Sequence, residues 1–300
     1  MAVILQQTLN GLQLGSVYAL IALGYTMVYG ILRLINFAHG DIFMIACYIG
    51  FFASGAFLAR HLPTWAVFAS TLLASMVLTA LLAMLIERAA YKPLRYAPRV
   101  SAVITALGVG LFLEHFTLAT LGPAPRAIPP LLPAANYNMG GLTISSLQVM
   151  IIVISIILML LLDTVVQKTM TGMAMRAISF DKTVVPLMGV PVDRIISLTF
   201  AIGSAVAAAG GILYSQAYPI INPYMGVRLG WWAFIAAVVG GIGNIRGAML
   251  GGYILGFVEV FTPTILPSST YRDFVAFTIL LAVLIVRPTG ILGRVAAQKV

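Results

Sequence analysis

The longest polar interruption in this chain runs from residue 163 to residue 194 and reads DTVVQKTMTGMAMRAISFDKTVVPLMGVPVDR. Apolar runs of about 20 residues, each long enough to cross a bilayer, lie on both sides of it. A turn between two membrane spans needs only a few residues. A loop of this length, with basic residues and apolar residues of its own, therefore predicts a structured element outside the membrane.

The periodicity of this loop predicts a short amphipathic helix between Met173 and Val184. At about 100° per residue, its two sides carry different residues: Met173, Ala177, Phe180 and Val184 on the apolar side, and Arg176, Ser179, Lys182 and Thr183 on the polar side. Pro186 and the Gly189–Pro191 pair then turn the chain. One interpretation is a docking surface for a cytoplasmic partner. The other is an interfacial helix that lies on lipid headgroups.

The composition of the whole chain excludes a soluble domain. Of its 300 residues, 61% are hydrophobic and 8% are charged, whereas soluble domains carry about 25% charged residues. The net charge of +9 comes from basic residues in loops between spans, so it indicates membrane topology and attraction to anionic lipid rather than nucleic-acid binding. The N-terminus MAVILQQTLNG lacks a basic region and a cleavage site, so we expect it in the mature protein.

The hydropathy pattern predicts an all-α integral membrane protein with about 8–10 transmembrane helices, including broken or re-entrant segments, in one domain over residues 1–300. The predicted spans cover residues 9–32, 40–58, 64–86, 101–121, 143–162, 195–217 and 274–286, with a glycine-broken stretch over 231–261. Residues 122–141, rich in proline, are expected to form an extended loop. The basic loops 87–99 and 163–194 and the basic C-terminus lie on one side only if 231–261 crosses twice or re-enters, which favours about nine crossings.

Polar residues interrupt the first apolar segments at Asn36, His39, Gly40 and Asp41. Irregular backbone at membrane depth is tolerated where it lines a cavity or is buried in protein. A half-helix that starts near Gly40 would direct its N-terminal dipole into such a cavity. Alternatively, Asp41 is a simple N-terminal charge on a surface helix.

A second polar break lies in the stretch AVVGGIGNIRGAMLGGYILGF, where Asn244, Arg246 and Gly247 interrupt an apolar run. Each interior glycine costs a helix about 1 kcal/mol relative to alanine, so one continuous helix is not expected. Similar breaks in the two halves of a chain are typical of repeated transporter folds. We therefore expect the two breaks to face each other near a translocation pathway.

No catalytic or metal site is predicted. The chain has no Gly-x4-Gly-Lys-Ser/Thr phosphate loop and no Gly-x-Ser-x-Gly motif, and its histidines lack metal-ligand spacing. Glu114 and His115 lie inside the fourth span, where charges are functional candidates, or at its outer end, where water reaches them. The alternative function is a self-sufficient secondary transporter or channel that uses Glu114, His115 and Glu259 as an ion path. A third possible function, that of a membrane scaffold without transport, is disfavoured by the glycine-broken spans.

Three motifs carry a resemblance to a known family. They are GLQLGSVYALIALGYTMVYG (Gly11–Gly30) with RLINFAHGDI (Arg33–Ile42), the loop residues Arg176, Ala177, Asp181, Leu187, Met188 and Gly189, and GGIGNIRGA (Gly240–Ala248). Over essentially its whole length the chain resembles the H-like integral permease subunits of Liv-type ABC importers for branched-chain amino acids.

The resemblance implies a non-catalytic subunit of the bacterial plasma (inner) membrane without a cofactor. Its implied partners are a second, M-like permease subunit, two ATP-binding subunits that hydrolyse ATP, an extracytoplasmic solute-binding protein, membrane lipid and the amino acid substrate. The 163–194 loop would be the ATPase-coupling loop. It departs from the general importer motif, since Arg176-Ala177-Ile178 stands for Glu-Ala-Ala and Lys182 replaces the usual glycine.

Overall fold

A computed structural model describes residues 2–293 except 96, 133, 140, 182 and 267. The described helices are α1 (Ala2–Leu32), α2 (His39–Leu58), α3 (Thr64–Ile86), α4 (Arg99–Leu121), α5 (Ser146–Lys168), α6 (Met170–Phe180), α7 (Val192–Ala217), α8 (Met225–Gly240), α9 (Ile245–Ile265) and α10 (Tyr271–Val286). A π-helical turn at Glu87–Tyr91 extends α3, and short 3-10 helices lie at Lys92–Leu94 and Val185–Met188.

Seven of these helices are long and apolar enough to cross a membrane, namely α1 to α5, α7 and α9. The other two apolar helices, α8 and α10, have 16 residues each, which at 1.5 Å per residue span about 24 Å. The sequence-predicted spans are thus confirmed as helices, with the 231–261 stretch divided into α8 and α9.

The path of the chain can be followed from contacts at the two ends of the bundle. We call the end that carries α6 the inner end and the opposite end the outer end. The N-terminal part of α1 lies at the outer end, where Gln6 accepts a hydrogen bond from the Thr143 N–H (2.9 Å). Along the described residues, the nine helices other than α6 then run alternately between the ends, in agreement with the preferred count of about nine crossings.

The segment after α10 returns to the inner end. The N–H groups of Ile291 and Leu292 donate to the carbonyl groups of Val239 and Gly240, both at 2.9 Å. Arg246, a few residues farther on, pairs with Asp163 near the end of α5 (3.1 Å). Residues 287–293 therefore lie at the same end as α6, as the charge pattern predicted; the residues beyond 293 lie outside the described part of the chain.

The first helix is the centre of the bundle, and its small residues explain why. A Cβ atom on Gly15 would lie 2.8 Å from the Cα of Tyr253, and one on Gly252 would collide with the backbone of Ala19. The small-residue face of α1 thus packs directly on α9, because glycine and alanine let two helix backbones approach closely in lipid.

Two sequence-based expectations need correction. The amphipathic helix spans Met170–Phe180 rather than Met173–Val184, because Asp181 starts a turn. The expected extended loop contains short strands: β1 (Arg126–Ala127) pairs with β4 (Ile220–Ile221), and β2 (Asn136–Met139) with β3 (Leu142–Ser145). Of the two alternatives for residues 231–261, the structure shows the double passage, with a tight turn at 241–244 between α8 and α9.

Candidate functional site

The amphipathic helix α6 is held against the inner end of the bundle by local features. Thr169 caps it by accepting a hydrogen bond from the Gly172 N–H (3.1 Å), a typical N-cap interaction. A Cβ on Gly172 would collide with the last carbonyl groups of α5, so glycine permits the close turn between the two helices. Met175 and Ile178 are buried beneath α6.

The opposite side of α6, which faces away from the bundle, carries exposed apolar residues. Met173 and Phe180 are exposed, and so are residues of the 3-10 turn that follows. We define the docking surface by five apolar residues that are 48–86% exposed: Met173, Phe180, Val184, Leu187 and Met188. Gly189 ends the 3-10 turn with a positive φ of 78°, a conformation that glycine adopts without strain. Ala177, predicted for the same side, is half-buried.

Two polar residues predicted for this site, Arg176 and Asp181, make bonds within the chain. The Arg176 guanidinium donates to the carbonyl of Val166 near the end of α5. Asp181 accepts hydrogen bonds from the N–H (2.9 Å) and hydroxyl (2.6 Å) of Thr183, which shapes the turn after α6. Both residues therefore contribute to the local fold of the loop. Met175 falls on the polar side at about 100° per residue, yet it is buried.

Polar contacts connect α6 to the first break. Arg33, in the left-handed region at φ 53°, donates to the Ser179 carbonyl near the end of α6 (3.2 Å). Three residues later, the Asn36 side chain accepts from the Tyr91 hydroxyl (2.5 Å) in the π-helical turn. The α1–α2 linker thus lies between the docking surface and the membrane helices. Its arginine stands inside a quoted motif, but sequence reasoning gave it no role.

Two residues of the first break, Gly40 and Asp41, line a cavity. His39 is buried beside Tyr25 and Gly24, and Gly40 packs on the backbone of α8 at Gly226 and Gly230. Asp41 and Glu114 line a cavity of about 170 Å³ whose walls include Tyr25, Phe37, Trp231 and Phe234. Buried Asp41 Oδ1 has no hydrogen-bond partner among the described residues.

The second break has different neighbours. The Asn244 side chain caps α9 by accepting from the Arg246 N–H (3.1 Å) and donates to the Leu292 carbonyl (2.7 Å). Gly247 packs against the Gly240 backbone. His39 of the first break lies against Gly24 of α1, whereas Gly243, just before the second break, lies near Gly30 of α1. The hydrogen bonds described for Asn36 and Asn244 go to different partners.

The residues of the alternative ion path have three separate surroundings. Glu114 is buried in the Asp41 cavity rather than at a wet helix end, and His115 is exposed on α4. Glu259 lies at the outer end, where it accepts from the Tyr18 hydroxyl. The structure therefore gives this alternative no continuous chain of titratable groups within the described residues.

This arrangement defines a multi-pass membrane protein with an exposed docking surface at its inner end. Residues 7–284 match the family described as "Branched-chain amino acid transport system / permease component". The chain is 42% identical to the permease protein LivH of Escherichia coli K12 over 99% of this chain and 97% of that relative. It is also 42% identical to BraD of Pseudomonas aeruginosa, over 99% and 98%.

The chain belongs to this family of ABC transporter permeases, and the resemblance stated from its motifs is confirmed. Such permeases are non-catalytic subunits. The comparisons do not support the alternative of a secondary transporter or channel. A solved structure, "PsaBC from Streptococcus pneumoniae in complex with Fab", matches 93% of this chain and 91% of that one with a TM-score of 0.48 and 14% identity.

Proposed function

We propose that this chain forms half of the translocation pathway of an ABC importer for branched-chain or related amino acids in the bacterial inner membrane. Its partners are a second, M-like permease subunit, two ATP-binding subunits at the inner end and a solute-binding protein at the outer end. Relatives whose names specify branched-chain amino acid transport support the substrate class. The absence of a phosphate loop requires that ATP hydrolysis comes from other subunits.

The single observation that carries the coupling role is the docking surface. Its apolar residues are exposed, whereas Met175 and Ile178 form the buried contact between α6 and its own bundle. Exposed apolar patches of this kind mark interaction sites. Many basic residues of the described chain lie at the inner end, which supports a cytoplasmic inner end under the positive-inside rule: Arg33, Arg88, Lys92, Arg95, Lys168, Arg176, Arg194, Arg246 and Arg287.

The pathway role belongs to the first break in this proposal. Gly40 and Asp41 line the Asp41 cavity where α2, α4 and α8 meet, and Asn36 joins this region to the inner-end loops. His39, at the start of α2, is buried against Gly24 and Tyr25 of α1. Asn244, Arg246 and Gly247 sit at the inner mouth of the bundle, where the α8–α9 turn could respond to the ATPases. Arg33 would carry displacement of α6 to the α1–α2 linker.

The test of coupling substitutes the exposed aromatic residue of the docking surface. In the reconstituted complex, Phe180→Asp should abolish capture of the ATPase subunits and ATP-dependent leucine uptake. The reason is that a charge would replace an apolar contact that is buried when the ATPase subunit binds. Phe180→Leu is the matched control and should keep at least about a third of both, since an apolar side chain of similar reach remains.

Full ATPase capture by an inserted Phe180→Asp protein would assign α6 to the lipid surface instead. Accumulation of leucine by the purified chain alone under a proton gradient would contradict the importer function itself and restore the secondary-transporter alternative.

A further inference from the structure

A second cavity, of about 480 Å³, opens at the outer end of the bundle. It lies between α1, α7, α8, α9 and α10, and its lining includes Gln13, Tyr18, Arg228, Glu259, Val260 and Arg272. Small-molecule sites typically enclose about 300–1,000 Å³. This cavity therefore has the size of a ligand site, whereas the Asp41 cavity is smaller.

The charges in this cavity are unequal. One carboxylate, that of Glu259, faces two guanidinium groups: Arg228 Nη2 is 3.2 Å from its Oε1, and Arg272 Nη1 is 3.9 Å away. The other carboxylate oxygen accepts from the Tyr18 hydroxyl. The Arg272 Nε is buried and has no hydrogen-bond partner in the described chain. An anionic group in the cavity would complete this set of donors, and a carboxylate matches the fork geometry of arginine.

The same cavity also offers acceptors for a positive charge. Pro263 lies inside α9, four residues after Glu259, and proline has no N–H group to donate to the carbonyl four residues earlier. The Glu259 backbone carbonyl thus lacks its usual helical donor, close to the Glu259 carboxylate. Apolar side chains complete the lining at Leu14, Leu229 and Val260.

We propose that this outer cavity binds the head group of an α-amino acid before translocation. The amino acid carboxylate lies between Arg228 and Arg272, its ammonium group lies against Glu259, and its apolar side chain packs on Leu229 and Val260. The site deepens the proposed function and rests on it, because an importer receives its substrate at the outer end. A ligand with only one of the two charged groups should not bind, because the excess guanidinium recognises the carboxylate and the Glu259 acceptors recognise the ammonium group.

The test measures whether an amino acid shields the cavity from a thiol reagent. Gln13→Cys and Val260→Cys, each in a Cys47→Ala background, place a thiol in the lining, and Thr264→Cys provides an exposed thiol on the same helix as Val260 outside it. The protein is the full complex with its permease and ATPase partners in lipid nanodiscs, without the solute-binding protein. The probes are L-leucine, its decarboxylated amine 3-methylbutylamine and the acid 4-methylpentanoate.

We expect L-leucine to slow modification of both cavity thiols, and neither the amine nor the acid to do so at equal concentration. Arg228→Gln or Arg272→Gln should raise the protecting concentration of L-leucine by about tenfold or more, as expected for loss of one charged hydrogen bond. Arg60→Gln, the same change at the outer end but outside the cavity, should leave it unchanged. Thr264→Cys should react at the same rate with and without leucine.

The outcomes separate this proposal from the proposed function. A complex that imports leucine while leucine fails to protect either thiol would overturn the outer site and leave the importer function standing. Protection by the amine alone would overturn the role of the two arginines. Protection without ATP-dependent uptake would support the site and contradict the importer function. If leucine has no effect but solute-binding protein added in a separate measurement shields both thiols, the cavity is a protein-docking surface instead.

Discussion

Clusters of charged residues lie at opposite ends of the bundle and differ in balance. At the inner end, the acidic side chains of Glu87 and Asp193 meet the basic side chains of Arg95 and Lys92. The buried Glu87 carboxylate accepts from Arg95 and from the Ser197 hydroxyl (2.5 Å), and Asp193 pairs with Arg95 and with Lys92 (2.7 Å). Acids and bases are equal in number here.

The outer cluster has one acid for two bases and lies in an open cavity. Glu259 is mostly buried, but the side chains of Arg228 and Arg272 are 60% and 33% exposed. A balanced cluster that contains a buried ion pair, here Glu87 with Arg95, locks neighbouring helices together, because loss of either partner leaves a buried charge. An unbalanced cluster beside water can instead exchange partners, which is what a transient ligand site requires. The comparison thus assigns stability to the inner cluster and binding to the outer one.

The largest expected effect comes from removing the buried acid of the inner cluster. Glu87→Ala should destabilise the protein by about 3–5 kcal/mol, since it leaves the guanidinium of Arg95 without a buried counter-charge. Unfolding of the purified complex in a denaturant titration measures this loss. Glu87→Gln keeps the shape of the side chain and the Ser197 contact. Its free energy of unfolding should therefore lie between those of the unsubstituted protein and Glu87→Ala. A loss below about 1 kcal/mol for the alanine variant would remove the structural role of this cluster.

An intermediate effect is expected for the acid of the outer cluster. Glu259→Gln should cost about 1–3 kcal/mol, because it weakens the charged bond from Tyr18 while water still solvates the two arginines. Leucine uptake by the reconstituted complex should nevertheless be lost, with ATPase subunits still bound. If Glu259→Gln destabilises the protein as much as Glu87→Ala, both clusters are structural and the contrast between them disappears.

The smallest effect is expected for the exposed acid of the inner cluster. The Asp193 side chain is 57% exposed, and exposed ion pairs contribute about 0–1 kcal/mol. Asp193→Asn should therefore change the free energy of unfolding by no more than about this amount. The difference from the unsubstituted protein should shrink as salt is added to the titration, because ions screen exposed charges. A salt-independent loss would show that Asp193 acts as a buried partner.

Sequence patterns predicted most of the helices because their cause is local. Apolar runs of membrane length, the glycines of the α8–α9 stretch and the small residues of α1 are all readable along the chain. The position of α6 was shifted by several residues, although Thr169 is a recognisable N-cap residue that could have placed its start. The turn at Asp181 depends on a side-chain bond to Thr183 that periodicity alone does not reveal.

The candidate site was predictable only in part. Met173 and Met175 are equally apolar, yet one is exposed on the docking surface and the other is buried. A helical wheel orders residues around an axis but does not specify which side meets the bundle. Tyr18 and Glu259 are 241 residues apart, and a bond between them has no signature in either neighbourhood.

By itself, the sequence determined that this is a multi-span membrane protein with a structured inner loop, because hydrophobicity and helix formation act over neighbouring residues. The permease class came from the resemblance that its motifs carry. Only the tertiary structure decided which charges meet. It put Glu114 beside Asp41 in one cavity and collected Tyr18, Arg228, Glu259 and Arg272 around another. It also gave Asn36 and Asn244 different hydrogen-bond partners. Those pairings follow from how close the glycine faces of α1, α8 and α9 approach one another, which is a property of packed helices rather than of any single segment.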